Sequence, residues 1–210
     1  VATIPELARS VGRARRSVLV VGQGGPRNEA VAHAHGLLTH DGARNGDILA
    51  TAEAQLARYP NVELVDARVT GLEPTPDATP GFLASLGGRP TTARVVILAT
   101  GVNDDPPAIP GLADHWGRGV FTCPFCDGWE HQDLHLAVVG EPAFGPHVAQ
   151  LLRSGWTDQV SLFVGPLPPD VADPLRTRGV EVDDRTVTRV VGDGEHVTAL
   201  ELDDGTTTAV

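Results

Sequence analysis

Four short, nearly unbroken apolar runs constrain this chain most: Ser17–Val21, Arg94–Ala99, Leu134–Val139 and Val160–Val164. Runs of this length without polar–apolar alternation suit strands buried on both faces, as in parallel sheets. Between them lie segments with helical spacing. Glu6 to Arg16 carries Leu7, Ala8, Val11 and Ala14, and Asp47 to about Arg58 carries Ile48, Leu49, Ala52 and Leu56. A third helix is expected from about Pro146 to Ser154, with Val148, Leu151 and Leu152 apolar. Strands alternating with helices predict an α/β fold with parallel sheets. Two of the runs lead into glycine turns, Gly22-Gln23-Gly24-Gly25-Pro26 and Gly140-Glu141-Pro142-Ala143-Phe144-Gly145. These strand–glycine–helix units argue for two nucleotide-domain-like pieces.

The remaining segments are read from their turn chemistry. Arg27 to Asn45 holds His33, His35 and His40 without a clear period and reads as a loop. Asp47 is the expected helix N-cap, because its carboxylate suits the free N–H groups there. Val62–Val65 reads as a strand and Leu72–Pro80 as a loop or hairpin tip. Arg94–Ala99, ending in Thr100-Gly101, is the most strand-like run. Asp105-Pro106-Pro107 with Pro110-Gly111 reads as a linker, and Val180–Val210 as short antiparallel strands with Asp203-Asp204-Gly205-Thr206 as a hairpin turn.

Composition narrows the function classes. The 210 residues carry a net charge of −11, which argues against nucleic acid or an anionic membrane as the main partner. All 16 basic residues are Arg, a codon-usage feature with no functional content. No apolar run approaches the ~20 residues of a membrane span, and the N-terminus lacks a signal peptide's apolar centre. With no Met at all, the chain is expected to be processed or a fragment.

The sharpest chemical signal is Cys123-Pro124-Phe125-Cys126-Asp127-Gly128. Two thiols at this spacing can close a small redox disulfide, and local geometry can bring one thiol pKa toward neutrality. One thiolate attacks a partner disulfide and the other resolves the mixed disulfide. Asp127 stands where it can move the proton. Two other readings stay open, a zinc knuckle and inert buried thiols. Zinc would need more ligands, drawn from His115, His131, His135 or an acid, because there is no second Cys pair. A metal role for His33, His35 and His40 lacks a compact frame.

The turn from Gly140 to Gly145 follows a strand, as a pyrophosphate-binding turn does. Its middle glycine is replaced by Pro142, which has no N–H to offer a phosphate.

Taken in order, these residues resemble the thioredoxin-reductase-like flavoproteins, which are FAD- and NAD(P)-dependent pyridine nucleotide-disulfide oxidoreductases. The matching pieces are Gly12–Val21, Gly25-Pro26-Arg27-Asn28, His35–Gly42, Ala99-Thr100-Gly101, Ile109-Pro110-Gly111-Leu112 and Cys123–Glu130. Phe125 and Gly128-Trp129-Glu130 resemble the branch containing small-molecule dithiol oxidases. The resemblance implies Rossmann-like three-layer nucleotide-binding domains: a partial FAD domain at residues 1–107 and a pyridine-nucleotide-type domain at 108–210. It implies that NADPH or NADH reduces FAD, and that FAD exchanges electrons with the Cys pair. Cys126 would face the flavin, Cys123 would exchange with the partner, and Asp127 would give or take the proton. Arg27, Asn28, Ala99, Thr100 and Gly101 would hold FAD, and Gly140 and Gly145 would border the nicotinamide cofactor. The implied partner is a thioredoxin-like protein or a small dithiol or disulfide, the implied compartment is the cytoplasm, and a homodimer is compatible. The family's first glycine turn would fall at Val1 to Ile4, and its C-terminal FAD half has no counterpart here. The chain is therefore expected to be the central stretch of a longer flavoprotein, with residues 1–107 less stable than 108–210.

Overall fold

The computed structural model describes residues 3–75 and 81–210. It divides into two compact units, Val1–Glu29 with Ala43–Asn103, and Ala30–Gly42 with Asp104–Val210. Segment 30–42 thus packs with the second unit although it precedes most of the first in sequence.

In the first unit, α1 (Thr3–Arg13) is followed by β1 (Val18–Gly22). Two two-residue strands interrupt the expected loop, β2 (His33–Ala34) in the segment that belongs to the second unit and β3 (Ala43–Arg44) in the first, and α2 (Asn45–Leu56) follows. β4 (Val62–Asp66) pairs parallel with β1, Val18 opposite Val62 and Gly22 opposite Asp66. The Asn61 amide donates to the carbonyls of Gly12 and Arg16, tying the end of α1 to the start of β4. β5 (Val69–Pro74), β6 (Phe82–Leu86) and β7 (Arg89–Ala93) form an antiparallel meander. Leu72–Pro74 is therefore strand rather than loop, and residues 76–80 of the expected hairpin tip lie outside the described residues.

Two expectations for this unit need correction. Asp47 is not the N-cap of α2; Arg44 holds that position, without a side-chain cap bond, and Asp47 sits in the first turn. There it still favours the helix through the dipole. Arg94–Ala99 is not a strand: β7 ends at Ala93, residues 94–99 join no ladder, and Val95 and Leu98 are 75% and 74% exposed. Among the described residues no strand pairs with this run, so its β-branched side chains have no sheet to pack against.

The second unit holds the parallel sheet. β8 (Leu136–Val139), α4 (Gly145–Gly155), β9 (Val160–Phe163), α5 (Pro169–Thr177) and β10 (Val180–Asp183) run in succession. The strand order is β10-β9-β8, parallel throughout. β9 is central and buried at every position, as its largely apolar run predicts, with the buried Ser161 hydroxyl donating to Glu181. Val138, Ala149, Leu152, Leu162 and Leu175 form the core between this sheet and its helices. Val180–Asp183 thus joins the parallel sheet, which corrects the antiparallel expectation for the start of the tail. The reason is α5, a crossover helix that the proline-rich Gly165–Pro169 turn hides in the sequence; Pro169 is tolerated because it occupies the first turn. The antiparallel reading does hold for β11 (Val187–Gly192), β12 (Val197–Leu202) and β13 (Thr207–Ala209), with the 203–206 turn joining the last two. Leu112, Phe163, Val187, Val190, Leu200 and Leu202 make a second core cluster. A short α3 (Pro124–Asp127) carries the Cys pair. No helix among the described residues is long and apolar enough to cross a membrane.

Candidate functional site

Pro124 occupies the first turn of α3, where its fixed φ suits a helix start and its missing N–H costs nothing. Cys123 is the N-cap, and the N–H of Cys126 donates to its carbonyl at 3.1 Å. One tight turn thereby aims both thiols the same way, with Sγ of Cys126 2.7 Å from Sγ of Cys123. A disulfide needs sulfurs at about 2.05 Å, so the pair closes with a short approach of the two side chains. Both cysteines are thiols here; Cys123 is half-buried and Cys126 exposed.

The turn is held from behind. A Cβ on Gly128 would meet the Pro124 carbonyl at 2.4 Å and the Trp156 ring at 2.7 Å, so only glycine lets α3 pack this closely on the end of α4. The Phe125 ring meets Trp156 edge-on at 5.3 Å. Asp133 N–H donates to the Trp156 carbonyl, and the Thr157 hydroxyl donates to that of Leu134. The segment after the cysteines is thereby fastened to the core of the second unit.

Asp127 is half-buried, and its carboxyl lies above the ordinary carboxylate range. Burial is the main cause, the negative charge of Glu130 adds to it, and His35 opposes it. His35 comes from the 30–42 segment. Its Nε2 lies 3.5 Å from Glu130 Oε1 and its Nδ1 3.8 Å from Asp41 Oδ1. Asp41 is itself fixed, because its Oδ1 accepts the Gly36 N–H at 2.8 Å. His131 packs against Phe121 with the rings tilted by 42° and 4.6 Å between centroids, and burial holds it below the ordinary histidine value. The motif reading missed His35 and Glu130 as neighbours of the thiol turn. The spacing Asp127-x-x-Glu130 carries a signal for the second, but none for the first, because tertiary packing alone brings His35 there.

The candidate zinc ligands are dispersed. His115 is buried with Nδ1 lacking a hydrogen-bond partner, and His135 bonds Ser161 at 2.8 Å. Among the described residues no group of three His, Cys, Asp or Glu side chains could hold a metal ion.

The cofactor residues of the first unit divide into two places. Asn28 donates to the Asn45 side chain at 2.7 Å, and Asn45 donates back to the Asn28 carbonyl at 2.9 Å. The Asn28 Oδ1 is buried without a hydrogen-bond partner, an acceptor that a bound donor would satisfy. Ala99, Thr100 and Gly101 form an exposed, irregular segment. The orphaned Asn28 acceptor is the observation whose chemistry fits a flavin nucleotide's hydrogen-bond donors.

The Gly140–Gly145 turn does not fit a dinucleotide pyrophosphate. Such a group rests on free N–H donors at a helix start. Here Phe144 and Gly145 both donate to the Glu141 carbonyl, at 3.2 and 2.9 Å, and His147 donates to the Phe144 carbonyl at 3.1 Å. Pro142 and Pro146 have no N–H, and Glu141 adds a negative charge to the turn. Gly145 has a packing reason of its own: a Cβ there would stand 2.4 Å from Val164 Cγ1.

A model of the pyridine nucleotide-disulphide oxidoreductase family matches residues 6–210. A probable thioredoxin reductase of Arthroderma benhamiae is 38% identical over 135 residues, covering 62% of this chain and 33% of that protein. Thioredoxin reductase aclD of Aspergillus oryzae is 28% identical over 217 residues, covering 96% of this chain and 68% of that protein. Among solved structures, that of HlmI superposes with a TM-score of 0.92 at 34% identity, over 98% of this chain and 65% of that one. An oxidoreductase of Agrobacterium tumefaciens gives 0.86 at 33% identity, over 99% of this chain and 70% of that one. The chain thus spans from a third to about two thirds of the length of these proteins.

Proposed function

Since the chain belongs to the pyridine nucleotide-disulphide oxidoreductase family, we propose that it carries the redox-active centre of a flavin-dependent thiol–disulfide oxidoreductase, with Cys123 and Cys126 as the reacting pair. The observation that carries this reading is the 2.7 Å separation of the two sulfurs on one helical turn beside a carboxyl held toward its protonated form.

The exchange balances within the chain and its partner. The Cys123 thiolate attacks one sulfur of the partner disulfide, forming a mixed disulfide and releasing one partner thiolate. The Cys126 thiolate then attacks Cys123 Sγ, closing the 123–126 disulfide and releasing the second partner thiolate. Asp127 supplies a proton to a leaving thiolate and takes it back when the step reverses, which is why a carboxyl above its ordinary range suits the position. Bound FAD supplies the means of taking the electron pair from the dithiol or returning it to the disulfide. Arg27, Asn28, Ala99, Thr100 and Gly101 would hold the flavin. The family is NAD(P)H-dependent in general, but no step at the Gly140–Gly145 turn of this chain is needed for this exchange.

The partner class is a thioredoxin-like protein or a small dithiol or disulfide. Phe125 and Trp129, 74% and 71% exposed beside the thiols, support a small apolar dithiol. Adding FAD and then a small aromatic dithiol to the chain tests the reading. Bleaching of flavin absorbance is expected in the wild type and its loss in both Cys123→Ser and Cys126→Ser. Bleaching that persists in the two serine variants would overturn it.

A further inference from the structure

The segment 30–42 packs with the unit that carries the thiols, and it brings one histidine to the acidic side of their turn. The segment is tightly folded around that residue. The Gly42 N–H donates to the Ala34 carbonyl at 2.9 Å, His40 N–H to that of Leu37 at 2.9 Å, and Gly36 N–H to Asp41 Oδ1. His35 therefore stands between two carboxylates, Asp41 on its own segment and Glu130 on the segment that follows the cysteines.

We propose that His35 is a positioning residue of the thiol centre: held between Asp41 and Glu130, it fixes the Glu130 carboxylate and balances the charge on the side of the turn where Asp127 stands. This rests on the redox-pair reading above and adds to it a residue that does not itself meet the reacting sulfurs. The physical basis is a contest of charges. Asp127 feels the Glu130 carboxylate, which disfavours its ionisation, and the His35 ring, which favours it. Glu130 also faces His131, and His196 on the β11–β12 hairpin acts in turn on His131. Cys123 and Cys126 face the centre from α3. Of these groups His35 is the one presented by a separate, preorganised segment, so movement of residues 30–42 would retune the centre without touching the thiols.

The test has two arms of opposite sign, which a merely structural role would not produce. The full chain, reduced, is reacted with a soluble aromatic disulfide from about pH 5 to pH 9, the range in which histidines and perturbed thiols titrate. The Asp127 carboxyl is followed by NMR over a lower range as well. His35→Gln is expected to move the Asp127 titration upward by about half a unit, a threefold change in its ionisation constant. Glu130→Gln is expected to move it downward by about as much, since these half-exposed charges are partly screened. Asp127→Asn removes the titration and with it the matching inflection in the exchange rate. Titrations unmoved in both variants, or moved in the same direction, overturn the proposal. Glu130 is exposed, so Glu130→Gln keeps the test decisive if His35→Gln folds poorly. Exchange that continues in Cys123→Ser would instead defeat the redox-pair reading, so the two failures are distinct.

Discussion

The two units of this chain are built from similar amounts of secondary structure but differ sharply in what they bury. In the first, the buried apolar side chains among the described residues are Ala8, Ile48 and Leu56. Leu19 on β1 and Leu64 on β4 lie in a two-stranded parallel sheet, yet remain 38% and 44% exposed. In the second, three parallel strands are covered by α4 and α5, and a second cluster joins Phe163 to the β11–β12–β13 meander. A parallel sheet is stable when both faces are covered. The second unit meets that condition and the first, as described, does not. The redox turn is anchored in the well-packed unit, where a rigid frame can hold two sulfurs in register.

The largest expected consequence is in local stability. Amide hydrogen exchange should be faster in residues 43–75 and 81–103 than in residues 136–210, by about tenfold or more, equivalent to a difference of about 1.4 kcal/mol in opening free energy. Equal protection would break the comparison. Single truncations sharpen it. Leu162→Ala, at a fully buried position of β9, should cost about 2–5 kcal/mol in denaturant unfolding, whereas Leu64→Ala in β4 should cost less than about 1 kcal/mol. Comparable costs would mean that the first sheet is better supported than its exposure implies.

The smallest expected effect lies at the site itself. The Asp127 carboxyl has a folded pKa above its unfolded one, so its contribution to stability is fully present below the unfolded value and lost as pH rises through the folded value. Asp127→Asn should therefore raise the melting midpoint at neutral pH and leave it unchanged in acid. His131 has the opposite sign: its folded pKa is depressed, so its contribution is present above about pH 6.5 and lost as pH falls through the folded value. His131→Gln should reduce that acid-side loss, and a melting series against pH checks both variants.

What could be read in the sequence followed from local signals. The run at Val160–Phe163 is central and buried because three of its four residues are large and apolar and Ser161 is satisfied by hydrogen bonds with His135 and Glu181, and the Cys-Pro-Phe-Cys turn is helical because Pro124 starts it. Failures arose where the outcome depended on partners distant in the chain. Arg94–Ala99 has the composition of a strand, but composition does not supply a neighbouring ladder. Val180–Asp183 has the same β-branched character as the meander after it, and only the intervening α5 sends it to the parallel sheet. His35 was one of several loop histidines until packing set it against Glu130. Conversely, the missing N–H of Pro142 in the Gly140–Gly145 turn is a local property that the sequence shows directly.

The most direct test of the central claim is to treat reduced Cys126→Ser and Cys123→Ser with a symmetrical aromatic disulfide and identify the adducts by mass spectrometry. The account predicts a stable mixed disulfide on Cys123 in the first variant, little adduct in the second, and in the wild type a closed 123–126 disulfide with two equivalents of aromatic thiol released. Equal, lasting adducts on either cysteine, with no closure in the wild type, would contradict it.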